Sequence, residues 1–192
     1  MNRNSSVDKI TELVKWHKKL RDEHEPQDVI EAIEARRHTA TAEEDYHLAL
    51  MLKLELLLVA IDFQQRAEDV LDEMIAKLPD DVRFPIAKAS LHLYHLNNPV
   101  RALECIEQAL VRARRTGHFR REALGVRARI HLMLSQHDKL SETLEEIMAL
   151  EIRGNVPDIA SERDFVDQAP PGAIPQDVLD RYNEFRPKRD GD

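Results

Sequence analysis

Residues 84–110 are the most regular part of the sequence, and they predict two helices packed against each other. The segment reads FPIAKASLHLYHLNNPVRALECIEQAL, with a breaker at 97–99 between two stretches of helical periodicity. Asn98 suits a helix N-cap, and Pro99 suits the first helical position, where its missing N–H group costs nothing. Small residues recur on the apolar sides of both stretches, which allows close approach. The segment therefore predicts an antiparallel helical hairpin.

Similar hairpins are predicted along most of the chain. Ala32, Ala67 and Ala102 lie 35 residues apart, each on the second helix of a predicted pair, and such a period is typical of helical-repeat proteins. Only 5 Gly among 192 residues, together with 33% charged residues, also favour helices over strands. We therefore predict an all-α protein. Outside the segment described above, its predicted helices are 5–23, 26–37, 42–61, 64–78, 119–134, 139–151 and 176–185, with a turn at Asp62 and Phe63.

Two of the predicted hairpins carry small and apolar residues in similar patterns. In the stretch 48–81 these are Ala67, Leu71, Met74 and Pro79, and in the stretch 83–116 they are Ser90, Leu93, Ala102, Ile106 and Ala109. The pattern resembles the tetratricopeptide repeat family, whose units are helix–turn–helix pairs of 34 residues. The resemblance implies a right-handed superhelix of antiparallel hairpins. It further implies a hairpin over 1–40, repeats over 41–153, and a tail with a short helix over 154–192.

The resemblance also implies a concave groove, lined by the first helix of each hairpin, that binds a segment of another protein. The implied lining residues are Leu52, Leu56, Val59, Phe84, Ala87, Lys88, Leu91, Tyr94, His95, Arg129 and Leu132. This lining is mostly apolar, so the implied partner segment is apolar or amphipathic rather than a peptide carboxylate. Three other occupants are alternatives: the chain's own helix at 1–23, its own turn at 176–185, or a second copy in a homodimer.

A basic stretch interrupts an acidic chain. Residues 100–131 contain 8 Arg and 3 Glu, although the net charge of the whole chain is −8. The stretch predicts a basic surface that either pairs with the Glu-rich residues 142–151 or contacts an acidic partner. The overall negative charge of the chain argues against binding of nucleic acid. Phe119 is the only aromatic residue among these arginines, so stacking with bases has little support. The arginines of the predicted surface are Arg112, Arg114, Arg115, Arg120, Arg121 and Arg127.

No motif in the sequence indicates catalysis. There is no phosphate-binding loop, nucleophile elbow, metalloprotease motif or paired CxxC, so we predict a protein that is not an enzyme and needs no cofactor. His92 and His95 lie three residues apart, but no third ligand follows at a matching spacing, so no metal site is predicted. Cys105 is the only cysteine, which favours a reducing compartment, and no apolar run is long enough for a membrane span. We therefore expect a cytoplasmic protein.

The predicted function is a protein–protein interaction scaffold or adaptor. One alternative is a chaperone, because the chain also resembles the small acidic chaperones of bacterial type III secretion, which hold hydrophobic segments of secreted proteins. A second alternative is RNA binding through the arginines, for which strong salt dependence would be expected.

Overall fold

The computed structural model describes residues 3–58, 60–151, 166–167 and 169–185, and no strand occurs within these ranges. The predicted all-α fold is therefore confirmed for this part of the chain. Its helices are α1 (Arg3–Glu23), α2 (Pro26–Arg37), α3 (Ala42–Leu58), α4 (Ala60–Lys77), α5 (Arg83–Ser90), the π-helical turn Leu91–His95, α6 (Pro99–Thr116), α7 (Arg120–Met133), α8 (His137–Glu151) and α9 (Gln176–Phe185).

Most of the predicted helices are present, but the stretch predicted to separate α3 from α4 is itself helical. The turn predicted at Asp62 and Phe63 is wrong, because α4 begins at Ala60 and contains both residues. The apolar run at 48–61 includes no Gly or Pro, the residues that usually mark a turn. The sequence therefore did not determine where the turn after this run lies. The two helices are antiparallel: Lys77 Nζ, at the end of α4, lies 3.3 Å from an oxygen of Asp45, in the first turn of α3.

The predicted N-cap at Asn98 is present, and it is one of several local caps that define where the helices begin and end. The side chain of Asn98 accepts a hydrogen bond of 3.1 Å from the backbone N–H of Arg101, at the start of α6. Gly117 ends the same helix with φ = 77°, a left-handed conformation that favours glycine. At the start of α3, Thr41 and Glu44 bond to each other as a capping box.

We expect Asn98→Ala to lower the free energy of unfolding by about 1 kcal/mol, because the N–H group of Arg101 loses its acceptor. Asn98→Asp is the matched control, since it keeps an acceptor oxygen and should be close to neutral. Urea unfolding followed by circular dichroism measures both. Equal losses for the two variants would show that the cap contributes nothing.

The helices form two compact units with a boundary between Lys77 and Leu78. The first unit contains α1–α4 and the second contains α5–α9. The predicted boundary after residue 40 falls inside the first unit, where α2 and α3 pack together. The predicted boundary after residue 153 lies outside the described residues.

A continuous apolar core runs through the second unit. Helix α9 contributes Val178 and Tyr182 to this core and packs against α8. The tail helix is therefore part of the core of the second unit. In the structure it packs on α8 and does not occupy the predicted groove. The core residues on the other helices include Ala89, Leu93, Ala102, Ile106, Ala109, Leu110, Leu124, Ala128, Leu140, Leu144 and Ile147.

Within each unit, side-chain contacts recur between residues about one repeat apart. The pairs are Glu34–Arg66, Arg37–Glu73, Asp80–Arg115, Tyr94–Arg129 and Glu145–Arg181, with sequence separations of 32, 36, 35, 35 and 36 residues. These separations are close to the predicted period of 35 residues. Glu34–Arg66, Arg37–Glu73 and Tyr94–Arg129 join corresponding helices of successive hairpins, whereas Asp80–Arg115 joins the two ends of one hairpin and Glu145–Arg181 joins α8 to α9.

Candidate functional site

Most of the predicted groove is not accessible. A side chain without exposed surface cannot contact a partner unless the fold opens, so the prediction that these residues line an open groove is wrong. Val59, which was assigned to the same groove, lies outside the described residues. The buried members, each at most 6% exposed, are Leu52, Leu56, Phe84, Ala87, Lys88 and Leu91.

The error on α3 has a simple geometric cause. Leu52 and Leu56 are buried, whereas Leu54 is 51% exposed. Two residues along an α-helix correspond to a rotation of about 200°, so Leu54 points nearly opposite to its two neighbours. Because α3 is apolar almost all round, its hydrophobic pattern did not distinguish the buried face from the exposed one.

The remaining groove residues lie on the second unit and are accessible. Tyr94 is 49% exposed, and His95, Arg129 and Leu132 are partly exposed. Tyr94 and His95 belong to the π-helical turn, in which the N–H group of Leu96 bonds to the carbonyl of Leu91 at 3.1 Å. This wider turn contains one more residue than an α-helical turn, so the side chains after Leu91 point in directions that a continuous α-helix would not give them. Single π-helical turns of this kind are frequent at functional sites.

Tyr94 is held in place by a residue of the neighbouring helix α7. Arg129 Nη1 donates a hydrogen bond of 2.6 Å to the hydroxyl oxygen of Tyr94, and its Cζ lies 5.4 Å from the centre of the ring. At the opposite end, where α5 and α7 begin, Arg83 Cζ lies 5.5 Å from the centre of the Phe119 ring. The two contacts show that α5 and α7 run side by side in the same direction.

One residue that the sequence did not single out adds to this surface. Met133 is half-exposed and follows Arg129 by four residues, so both lie on the same face of α7. We call the set Tyr94, His95, Arg129, Leu132 and Met133 the Tyr94 surface. Tyr and Arg are enriched among the residues that dominate binding energy at protein interfaces, and Met adapts its shape to varied apolar partners.

The six predicted basic residues do not form a single exposed surface. Arg114 and Arg115 are exposed and Arg112 and Arg120 are half-buried, whereas Arg121 and Arg127 are buried, so the prediction is wrong for these last two. Buried arginines have a structural role unless the fold opens. This arrangement weakens the RNA-binding alternative.

Arg127 connects α7 to α8. Its Nε donates to Thr143 Oγ1 at 3.2 Å, and its Nη2 donates to Glu146 Oε1 at 2.6 Å. Burial by itself raises the pKa of the Glu146 carboxyl group, but the hydrogen bond and the charge of Arg127 outweigh burial. The pKa of Glu146 therefore lies below its ordinary value, and the carboxylate stays charged beside the guanidinium.

Among the residues described, no group of three or more His, Cys, Asp or Glu side chains is arranged to hold a metal ion. The same residues include no helix that combines the length and the apolar composition of a membrane span. Cys105 is buried, as its position on the apolar side of α6 predicts.

Fold and surface together define an all-α protein built from helical hairpins, with an exposed aromatic, cationic and thioether surface on its second unit. No protein-family model matches the sequence, and no curated protein or solved structure is significantly similar to it. The resemblance to tetratricopeptide repeats therefore stays a prediction.

Proposed function

We propose that this chain is a non-catalytic protein–protein interaction scaffold that binds an apolar or amphipathic segment of another protein on the Tyr94 surface. The observation that carries the proposal is the half-exposed ring of Tyr94, held by Arg129 beside the exposed Met133. A side chain already fixed in the free protein loses little conformational entropy on binding. An ordered, half-exposed aromatic ring is therefore suited to anchor a partner.

The proposed architecture is a tetratricopeptide-like array of hairpins that form a right-handed superhelix. Two observations support it: the contacts that join corresponding helices at separations of 32–36 residues, and the parallel arrangement of α5 and α7. In such an array the first helices of successive hairpins lie side by side and share one face. All five residues of the Tyr94 surface lie on α7 or on the π-helical turn that follows α5.

The partner that fits best is an amphipathic helix or an apolar extended segment. Tyr94, Leu132 and Met133 offer apolar contacts, while Arg129 and His95 offer polar contacts at the same surface. An amphipathic helix inserts apolar side chains spaced three and four residues apart into such a surface. The function is thus recognition by shape and apolar contact, with the guanidinium group as a single strong polar partner.

The test is affinity purification from the native cell with the wild-type chain, followed by titration of the purified partner. We expect Tyr94→Ala with Met133→Ala to weaken binding by about 10-fold or more, because truncated anchor residues dominate binding losses. Circular dichroism should show an unchanged fold, since both side chains are substantially exposed.

The matched control is Val100→Ala with Val111→Ala, which removes two exposed apolar side chains of α6. This control should bind the partner as the wild type does. Equal affinity of the Tyr94 variant and the wild type, with both folded, would contradict the proposal.

A further inference from the structure

A buried carboxylate, that of Glu55, lies in the largely apolar part of α3. The side chain of Glu55 is only 3% exposed, although its neighbours along the helix are almost all Leu or Met. Its described side-chain partners are both on α1: His17 Nε2 lies 2.8 Å from Glu55 Oε1, and Arg21 Nε lies 3.3 Å from the same oxygen. His17 and Arg21 are four residues apart, so one face of α1 presents both groups to Glu55.

Few of the described side chains of α1 are fully buried. Among those at residues 9–23, Leu13 and His17 are buried, Ile10, Trp16 and Leu20 are half-buried, and the rest are exposed. A shallow cleft separates the earlier part of α1 from α3, lined in part by Ile10, Leu13 and His47. Among the described residues, the contact of α1 with α3 therefore centres on Leu13 and on His17 and Arg21 at Glu55, and Trp16 adds a contact with Arg36 of α2.

A contact built on a buried charge adds little net stability to the docking of α1. Removing two charges from water costs nearly as much as their attraction returns, so a buried ion pair contributes little net stability. If α1 leaves, Glu55 becomes hydrated, and this hydration offsets the lost contact. Helices with few buried apolar contacts are the parts of a protein that open first. The linker before α2 is short, and Glu25 has the extended conformation that Pro26 favours, so the two helices are separate elements.

We propose that α1 is an exchangeable occupant of the α3 surface around Glu55, and that a basic amphipathic helix of a partner protein displaces it. Charge complementarity defines the partner. A buried carboxylate among apolar side chains needs a positively charged side chain on the helix that covers it. The chain's own occupant has this chemistry, since residues 9–23 carry five Lys or Arg and three Asp or Glu. This surface belongs to the first unit, so the proposal is independent of the Tyr94 surface.

Trp16 makes the exchange measurable. It is the only tryptophan of the chain, it lies on α1, and Arg36 of α2 stacks over its ring at 4.6 Å. The full-length protein is titrated with a synthetic peptide of residues 3–23 that carries Trp16→Phe, so that only the protein fluoresces. We expect a red shift of the emission as the peptide reaches about millimolar concentration, the effective concentration of a tethered helix.

A second peptide tests the chemistry of the displacement. It carries His17→Ala and Arg21→Ala in addition to Trp16→Phe, and we expect it to cause no shift at the same concentration. Both titrations use the wild-type protein, so they do not depend on the folding of any variant. Absence of a shift with the first peptide, or an equal shift with both, would overturn the proposal.

Hydrogen exchange on full-length variants gives an independent measurement. Glu55→Arg places like charges together, so we expect the α1 amides to exchange about 10-fold faster or more, with the α2 amides unchanged. Adding Arg21→Glu restores opposite charges and should recover much of the protection. Glu73→Arg is the control, because the described ion-pair partners of Glu73 are Arg37 and Lys77, on α2 and α4 of the same unit. Unchanged α1 exchange in a folded Glu55→Arg protein would identify α1 as a fixed element.

Discussion

Leu56→Ala is expected to lower the free energy of unfolding by about 3 kcal/mol, because it removes a fully buried side chain and leaves a cavity. Leu54→Ala, two residues earlier on the same helix, is expected to change it by less than about 0.5 kcal/mol, because Leu54 is half-exposed. The pair has the same chemistry and nearly the same place in the sequence. The two leucines differ only in the face of α3 on which they lie. Urea unfolding of both variants, followed by circular dichroism, measures the difference.

The same pair decides the orientation of α3. If Leu54→Ala costs as much as Leu56→Ala, the two leucines are equally buried and the face assigned to the core is wrong. The result also determines which variants can test binding. Charged substitutions at Leu56 or Leu91 would unfold the chain rather than block a groove, since neither side chain has exposed surface.

Arg127→Ala is expected to lower the free energy of unfolding by about 3 kcal/mol, because Thr143 and Glu146 lose their donor in a partly buried site. This value is at the lower end of the range for a broken buried ion pair, since water reaches Glu146. Arg114→Ala is the matched control from the same basic stretch. Arg114 is exposed, so its loss should cost less than about 0.5 kcal/mol. Equal losses would mean that Arg127 has no special structural role.

The Arg127 contact should also depend on pH. The pKa of Glu146 is lower in the folded protein than its ordinary value of 4.5, so the charged carboxylate stabilises the fold above that value. The stabilisation is lost as the pH falls through the lower pKa of the folded state. We therefore expect the difference in stability between wild type and Arg127→Ala to shrink as the pH falls from about 7 to about 3. A difference that stays constant over this range would show that Glu146 does not contribute to it.

The helices and their ends could be predicted because the interactions that define them are local. Asn98 and Gly117 delimit α6 through bonds to residues three and four positions away. Thr41 and Glu44 do the same at the start of α3. The turn between α3 and α4 was misplaced because no residue with a strong local preference marks it.

The candidate site could be predicted only in part. Tyr94 and Arg129 were assigned to a binding groove, and both are accessible in the structure. Met133 was not singled out, although its spacing of four residues from Arg129 was available as a signal. The contact of Glu55 with His17 had no such signal, because 38 residues separate the two and neither belongs to a motif.

The sequence by itself determined the helical class, the helix ends and the interval of about 35 residues, because capping bonds and hydrophobic periodicity act within a few turns of the chain. Only the tertiary structure decided which face of α3 is buried, that Arg127 is buried while Arg114 is exposed, and that a π-helical turn precedes Leu96. Each of these depends on which helices pack around a residue. Partners distant in the sequence supply that packing, and an all-round apolar helix or a run of arginines is compatible with more than one choice.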